Sequence, residues 1–487
     1  MKIIIIVQHL TPWLYEFIYE LKKKNIEVVG IVEINKSKIL HFIINIYLEF
    51  FNPKIKNIKN KVTNKINILN IKNLKNNPGN IIINLTNNDF SHIKKKYEIR
   101  INNLNNIFLF FYFAKEFFSK YDFIETYISL EDYLNKTKYT KIIKINFDSL
   151  TKINRNFFSK LFVFIIHLDS YSKLLEKKIP GDDYINLNYS KSFFNILKDY
   201  SSFFYFFILI RIRKLLKRRV YYWSIKKIKK LDKMGISNGS IINKIDKKSY
   251  YADPFIYDYN NTTYVFYEKF IYDKNLGEIY CSKLINDNLI QEKKIFLDNY
   301  KHYSYPYIFN FNGEIFMIPE TSSQNELQIW KCINFPYKWE LYHKVLIGKK
   351  IIDSSILFDE NKKIWLFTNI DEGYCEDHVS CLYIYYLGEC LKNEPISHIQ
   401  NPVKIDCSSS RGAGQIYVEN KKLIRPSQIN IKGIYGYGLN INYIETLNLN
   451  EFSEKTLEKI FPIGQFKIGI HHISKNKKTI LIDEHSI

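Results

Sequence analysis

A segment recurs five times in the second half of this chain, and no other feature narrows the possible folds as far. Each copy opens a short strand with polar residues, turns tightly and closes on a second, apolar strand. The copies begin at Ala252-Asp253-Pro254-Phe255-Ile256, Ser304-Tyr305-Pro306-Tyr307-Ile308, Ile352-Asp353-Ser354-Ser355-Ile356, Gly412-Ala413-Gly414-Gln415-Ile416 and Ile470-His471-His472-Ile473. Their partners are Tyr264–Tyr267, Ile315–Ile318, Ile364–Phe367, Leu423–Arg425 and Thr479–Ile482. Between them stand Asn261, Asn312-Gly313, Asn361, Asn420 and Asn476, residue types that tolerate hairpin geometry. From Pro254 the pattern steps by 52, 48 and 60 residues to Pro306, Ser354 and Gly414. A repeat of about 50 residues holding four short strands is the signature of a β-propeller blade. Five copies predict a five-bladed ring. Their strand starts then gather around one axis and form the candidate site. Tyr221–Ile225 is aromatic and β-prone, and reads as an outer strand that closes the ring.

The chain of 487 residues is too long for one ordinary core, so more than one domain is expected. Residues 1–90 alternate strand and helix. Ile3–Val7 is a continuous apolar run, as a buried parallel strand requires. Trp13, Leu14, Phe17, Ile18 and Leu21 follow Pro12 at helical spacing, and Glu27–Ile34 and Ile81–Leu85 are further strands. That order predicts an α/β domain with an open, mostly parallel sheet over residues 1–200. A basic connecting helix or linker follows over 201–219, and the all-β five-bladed propeller spans 220–487. Gln8-His9-Leu10-Thr11 occupies the first strand-to-helix turn, so no dinucleotide fingerprint follows Val7.

Charge separates the halves. Residues 1–250 carry a net +25 and residues 251–487 a net −3. The densest basic run, Arg211–Lys230, holds ten cations and no acid, and follows the apolar Phe203–Ile210. It reads either as a solvated helix face or as a contact for an anionic membrane surface. No nucleic-acid reading motif accompanies it. Phe203–Ile210 is too short to span a bilayer. The start lacks a secretory cleavage pattern. The six cysteines show no Cys-x-x-Cys pair, so reduced thiols are expected in a cytoplasmic protein, with membrane association through the basic run as the alternative. No cofactor or metal is expected.

The first part resembles, in strand order, the amino-terminal domain of folate-dependent formyltransferases. That family carries an Asn-x-His pair and a Ser-Leu-Leu-Pro loop. Asn84-Leu85-Thr86-Asn87-Asn88 stands nearest and lacks the histidine, and His92 and His167 stand alone. The resemblance therefore implies a degenerate domain. The second part is more specific. Ala252-Asp253-Pro254-Phe255, Val265-Phe266-Tyr267-Glu268, His302-Tyr303-Ser304-Tyr305-Pro306 and Met317-Ile318-Pro319-Glu320-Thr321 run in order. Ile352–Ile356, Trp365–Thr368, Ser410-Arg411-Gly412-Ala413-Gly414, Arg425-Pro426-Ser427-Gln428 and Gly469-Ile470-His471-His472 continue the series. This is similar to the amino-terminal domain of plant glucosamine inositolphosphorylceramide transferases. It is also similar to bacterial proteins that join that domain to a formyltransferase-like one. The resemblance implies a sugar, sugar nucleotide or glycolipid partner.

At greater distance the pattern resembles five-bladed furanosidases such as arabinanases and invertases. There an inner-strand Asp-Pro supplies a general base, a second aspartate tunes proton transfer, and a glutamate is the acid. The resemblance implies these roles for Asp253 and Asp353. Arg411 stands where the glutamate is expected, which leaves Glu268 and Glu320 as candidate acids.

The residues can be weighed apart from family. Glycosyl chemistry needs an acid and a base or nucleophile, which Asp253, Asp353, Glu268 and Glu320 can supply. Arg411, Arg425 and Gln428 suit an anionic or hydroxyl-bearing group. His302, His471 and His472 suit proton transfer or hydroxyls. Tyr303, Tyr305 and Trp365 suit sugar stacking. Structural readings stand beside these: Asp253 as a strand cap, Glu268 as a partner of Lys269, Arg411 as an ion-pair partner of Asp353, the aromatics as core. His471 and His472, adjacent on a strand, are expected to point apart. Three functions follow: a carbohydrate-active enzyme of surface-glycan or glycolipid assembly, a non-catalytic glycan-binding module, or a degenerate formyltransferase.

Overall fold

The computed structural model describes residues 2–7, 12–33, 81–86, 97–102, 124–132, 135–146, 150–177, 222–229, 239–244, 246–298, 301–431, 433–463 and 467–486. Gln8–Thr11, His92, Pro180–Asp183, Phe203–Ile210 and most of Arg211–Lys230 lie outside the described residues. The chain divides into two compact units, residues 1–200 with 373–377, and residues 201–372 with 378–487. Among the described residues no helix is long and apolar enough to cross a membrane. None of the six cysteines is in a disulfide.

In the first unit, β1 (Lys2–Val7), α1 (Pro12–Lys23), β2 (Glu27–Glu33), β3 (Ile81–Leu85) and β4 (Tyr97–Asn102) precede β5 (Ile124–Asp132) and β6 (Thr137–Ile145), then α2 (Leu150–Ile166) and α3 (Leu168–Glu176). The sheet order is β6-β5-β4-β3-β1-β2. β1 pairs in parallel with β2 and β3, and β3 with β4. β4–β5 and β5–β6 are antiparallel, so two antiparallel strands extend the parallel part of the sheet. The short connection between β5 and β6, with Lys136 at φ 53°, imposes the β5–β6 pairing. Ile3–Val7 is buried throughout between its neighbours. Phe17 of α1 meets Phe158 of α2 at 5.4 Å, and Arg155 grips Glu16 at 2.7 Å.

The second unit is built of antiparallel sheets. β7 (Tyr222–Ile228) and β8 (Gly239–Ile241) come first. Then follow β9 (Ser249–Tyr259), β10 (Thr262–Ile271), β11 (Leu276–Ile285) and β12 (Asn288–Lys294), paired in sequence. β13 (Ser304–Phe311), β14 (Glu314–Glu320), β15 (Leu327–Asn334) and β16 (Lys338–Val345) repeat the plan. β17 (Ile351–Phe358), β18 (Ile364–Ile370), β19 (Cys381–Gly388), β20 (Ile396–Ser397) and β21 (Lys404–Asp406) form a further antiparallel run. β22 (Tyr417–Glu419), β23 (Lys422–Ile431), β24 (Ile434–Leu447) and β25 (Phe452–Ile460) make another sheet. The last combines β26 (Lys467–Gly469), β27 (Ile473–Lys475) and β28 (Ile480–Ser486) with β7 and β8. β7 is not an outer strand: it lies between β28 and β8, joining the start of the unit to its end.

Apolar layers pack each sheet on the next, which makes the arrangement propeller-like. Phe266, Cys281, Met317 and Trp330 share one layer, and Phe309 and Phe311 meet Phe358. Trp365, Phe367, Ile416 and Ile444 share another, as do Ile424, Leu439, Ile473 and Ile482. Ile225 and Leu481 return to Tyr251 and Val265. The fourth and fifth repeats depart from the predicted inner strands. Gly412 makes only an isolated bridge to Ser427, and residues 470–472 are irregular. Gly414, at φ 134°, lies so close to Ile473 O that a Cβ would approach it to 2.0 Å. Close backbone approach replaces regular pairing there.

Candidate functional site

Three inner strands carry the same irregularity. The ladders slip between Phe266 and Glu268 opposite Asp253-Pro254, between Ser304 and Tyr307, and between Ile352 and Ser355. At each slip one residue turns left-handed: Asp253 at φ 51°, Tyr305 at 47° and Asp353 at 39°. Such bulges re-aim side chains, and a non-glycine residue there is strained unless its surroundings hold it. The surroundings do. Asp253 N donates to Asp483 Oδ2 at 3.0 Å, and Tyr305 N to Asp253 Oδ2 at 3.3 Å. Pro254 and Pro306 have no N–H to leave unpaired.

The bulges bring predicted residues into one buried cluster. Glu268 on β10 pairs across from Ala252, and Glu320 on β14 from Ser304, so the two occupy matching places in successive sheets. Arg411 Nε donates to Asp353 Oδ2 at 2.6 Å, and its Nη2 reaches Glu320 Oε2 at 3.4 Å. Its Nη1 donates to His378 O at 3.1 Å, and its guanidinium lies 5.1 Å from the Tyr435 ring centre. Gln428 Nε2 adds a 3.4 Å contact to Asp353 Oδ2. On the other side, His471 Nδ1 lies 2.7 Å from Asp483 Oδ2, and its Nε2 lies 3.5 Å from Asp253 Oδ1. His472 Nδ1 is 3.6 Å from the same oxygen. The two histidines therefore converge, against the expectation for adjacent strand residues, because their segment is not a strand.

Among the described residues, the five carboxyls Asp253, Glu268, Glu320, Asp353 and Asp483 meet one guanidinium, that of Arg411, and the imidazoles of His471, His472 and His302. Burial pushes Asp253 up to about 7, opposed by His471 and reinforced by Asp353. Burial likewise pushes Asp353 up to about 7, against the pull of Arg411. Glu268 is held well above the usual carboxyl range by burial and by Asp253 and Glu320. Burial opposes the charge on His471, but Asp483 and Asp253 outweigh it and raise its affinity for a proton. Burial lowers His472 to about 3, which keeps it neutral.

Asp253, His471 and Asp483 present ligand atoms within 4.8 Å of one another, a spacing compatible with a metal ion. The donor set argues otherwise. Asp483 Oδ1 accepts His471 N and His472 N, and its Oδ2 accepts Asp253 N and faces His471 Nδ1. Those four contacts fill the carboxylate's acceptor sites.

The remaining predicted residues fall elsewhere. Tyr305 is fully buried, and its hydroxyl bridges Gly414 N at 2.9 Å and Ser355 Oγ at 3.2 Å. Its ring meets those of Phe255 at 4.9 Å and His472 at 5.3 Å. Tyr303 bonds Gln328 within an apolar layer, and Trp365 lies in another. His302 Nδ1 accepts Gly277 N at 2.9 Å, and its Nε2 lies 3.8 Å from Glu268 Oε1. Lys269 pairs with Glu292 rather than Glu268. Arg425 spends its guanidinium on Glu454 and on the carbonyls of Ser409 and Ser410. Sequence reasoning missed Asp483, Tyr435 and Trp223, whose ring lies 4.1 Å from that of His471. Asp483 left a signal as an acid directly after the apolar run Thr479–Ile482, and Trp223 as part of the aromatic strand Tyr221–Ile225.

The fold and this cluster define a propeller-like unit with a carboxyl-rich centre. Residues 235–469 match the family model for the N-terminal part of glucosamine inositolphosphorylceramide transferase 1. Glucosamine inositolphosphorylceramide transferase 1 of Arabidopsis thaliana is 31% identical over 223 residues, covering 45% of this chain and 28% of that protein. The protein of that name from Oryza sativa subsp. japonica is 31% identical over 213 residues, 42% of this chain and 28% of its own length. The chain thus spans little more than a quarter of these relatives. Among solved structures, a GH43_1 enzyme from Xanthomonas citri aligns with TM-score 0.35 and 10% identity, over 49% of this chain and 87% of that one. The catalytic domain of the Coprinopsis cinerea GH62 alpha-L-arabinofuranosidase aligns with TM-score 0.36 and 11% identity, over 54% and 97%.

Proposed function

We propose that the second unit is a five-bladed, carbohydrate-active propeller of surface-glycan or glycolipid biosynthesis. In this reading β17–β21 form the third blade, and β7 closes the fifth. The observation that carries it is the buried cluster of Asp253, Glu268, Glu320 and Asp353, whose carboxyls outnumber the cations beside them. Glycosyl transfer or glycoside processing needs one carboxyl that holds a proton near neutrality and one that gives it up. Glu268 suits the acid, because burial and its carboxyl neighbours hold its proton. Asp253 suits the base, because His471 stands 3.5 Å from its Oδ1 and favours its charge. Asp353, clamped by Arg411, tunes the pair. The names of the matched relatives support a glycolipid context.

A second reading is a glycan-binding module without turnover. Arg411 favours it, since one guanidinium engages both Asp353 and Glu320. The test offers candidate sugar nucleotides and glycolipid acceptors to the wild type and to Asp253→Asn. Product from the wild type alone is expected. Equal product from both removes Asp253 from the chemistry, and sugar binding with no product supports the module.

A further inference from the structure

Beside the carboxyl cluster the first sheet carries an aromatic group that the roles above do not use. Tyr250 on β9 and Phe270 on β10 are cross-strand partners, with ring centres 4.9 Å apart and planes 5° apart. Tyr272 meets both edge-on, at 5.9 and 6.1 Å. All three rings are half-buried. Residues two apart on a strand share a face, so Phe270 stands on the face that bears Glu268. His302 stands at the border, its ring 6.3 Å from Phe270 and its Nε2 3.8 Å from Glu268 Oε1. Because His302 Nδ1 accepts Gly277 N, Nε2 carries the proton of the neutral ring and can donate outward. The junction exists only over a glycine. A Cβ on Gly277 would lie 2.2 Å from Glu268 Oε1 and 2.6 Å from His302 Cε1. Burial first, and then proximity to Glu268, Tyr435 and Asp253, strengthens the hold of the Tyr250 hydroxyl on its proton.

We infer that Tyr250, Phe270 and Tyr272 form a sugar-ring subsite adjoining the carboxyls, with Glu268 and His302 reading the hydroxyls at its inner edge. The inference rests on the carbohydrate reading above. A pyranose has an apolar C–H face and a rim of hydroxyls, and this patch has stacked rings bordered by one acceptor and one donor. A protonated Glu268 and His302 Nε2 both suit hydroxyls, and an alkyl chain would leave them desolvated without partners. A ligand covering both places therefore presents two sugar rings, one at the carboxyls and one on the aromatics.

The test measures affinities of the full chain by ligand-observed NMR. The probes are methyl pyranosides of glucose, N-acetylglucosamine, mannose and galactose, with cellobiose, chitobiose, mannobiose and lactose. The wild type should favour at least one disaccharide over its methyl monosaccharide by about tenfold. Phe270→Ala and Tyr272→Ala should reduce that preference to about twofold, and Phe270→Tyr should keep it. Asp353→Asn should weaken both ligands together and leave the ratio unchanged. Tyr272 lies past the end of β10, so its variant tests the subsite even where Phe270→Ala fails to fold. An undiminished disaccharide preference in a folded Tyr272→Ala or Phe270→Ala protein overturns the subsite and leaves the carbohydrate reading standing. A wild type that binds none of these sugars overturns both.

Discussion

Arg425 and Asp353 are both buried charges near the centre of the second unit, yet they are built on opposite terms. Arg425 Nε and Nη2 grip Glu454 at 2.7 and 2.6 Å, and its remaining donors meet two backbone carbonyls. Lys404 adds a second cation to Glu454 at 2.6 Å. Burial works against the Glu454 charge, but Arg425 and Lys404 outweigh it and hold the carboxyl down to about 2. That cluster is saturated. Asp353 instead shares a single guanidinium with Glu320 and stands among further carboxyls. Burial of charge does not separate a site from a strut, since both groups are buried. The balance does. Saturated pairs hold architecture together, and an uncompensated excess of one sign keeps protons available for exchange.

The sharpest break in this contrast is a pair of substitutions that exchange phenotypes. Asp253→Asn should cut turnover by ~10²–10⁴ while the thermal unfolding midpoint stays near that of the wild type. Undiminished turnover would place Asp253 with the struts. Arg425→Met should do the reverse, costing about 3–5 kcal/mol because the buried Glu454 carboxylate is left with the half-buried Lys404 alone. Denaturation with unchanged stability would show that Arg425 is dispensable to the fold.

Stability against pH sharpens the same comparison. Asp253, Asp353 and Glu268 have raised affinities for protons in the folded state. Their contribution is complete below the ordinary carboxyl range near 4 and is lost as pH rises toward about 7. His471, also raised, loses its contribution as pH climbs past its ordinary value. Glu454 behaves oppositely, stabilising above the ordinary range and losing that contribution as pH falls toward about 2. Unfolding midpoints should therefore decline between about pH 4.5 and 7, and Glu268→Gln should flatten the decline. A wild-type profile that rises across this window would contradict the proton accounting.

The smallest effect concerns the basic run of the first half. If Arg211–Lys230 meets an anionic bilayer, each neutralisation among Lys217, Arg218 and Arg219 should weaken flotation with acidic liposomes by about 1 kcal/mol, and more at low salt. Flotation indifferent to all three would exclude this segment as the contact.

Much of the second unit could be read from local pattern. Alternating apolar residues and Asn-centred turns at Asn261, Asn312-Gly313 and Asn420 mark hairpins, and each of these asparagines takes a positive φ. The repeat also put Asp253 and Asp353 at matching strand starts. Periodicity of two encodes pairing and burial within about ten residues, so it survives in a single sequence. It failed where backbones meet across repeats, at Gly414 against Ile473 and at His471-His472. It could not tell Arg411 from Arg425, because both are arginines of the same repeat.

By itself the sequence determined the hairpins, their spacing, and the positions of the acids along each strand. The tertiary structure alone decided which charges are shared. Asp483 holds Asp253 from 230 residues away, and Arg411 joins Asp353 to a glutamate 91 residues before it. Pairing within a hairpin depends on neighbours along the chain. The protonation of a buried carboxyl depends on every charge and dipole within a few ångströms, and only folding assembles that set.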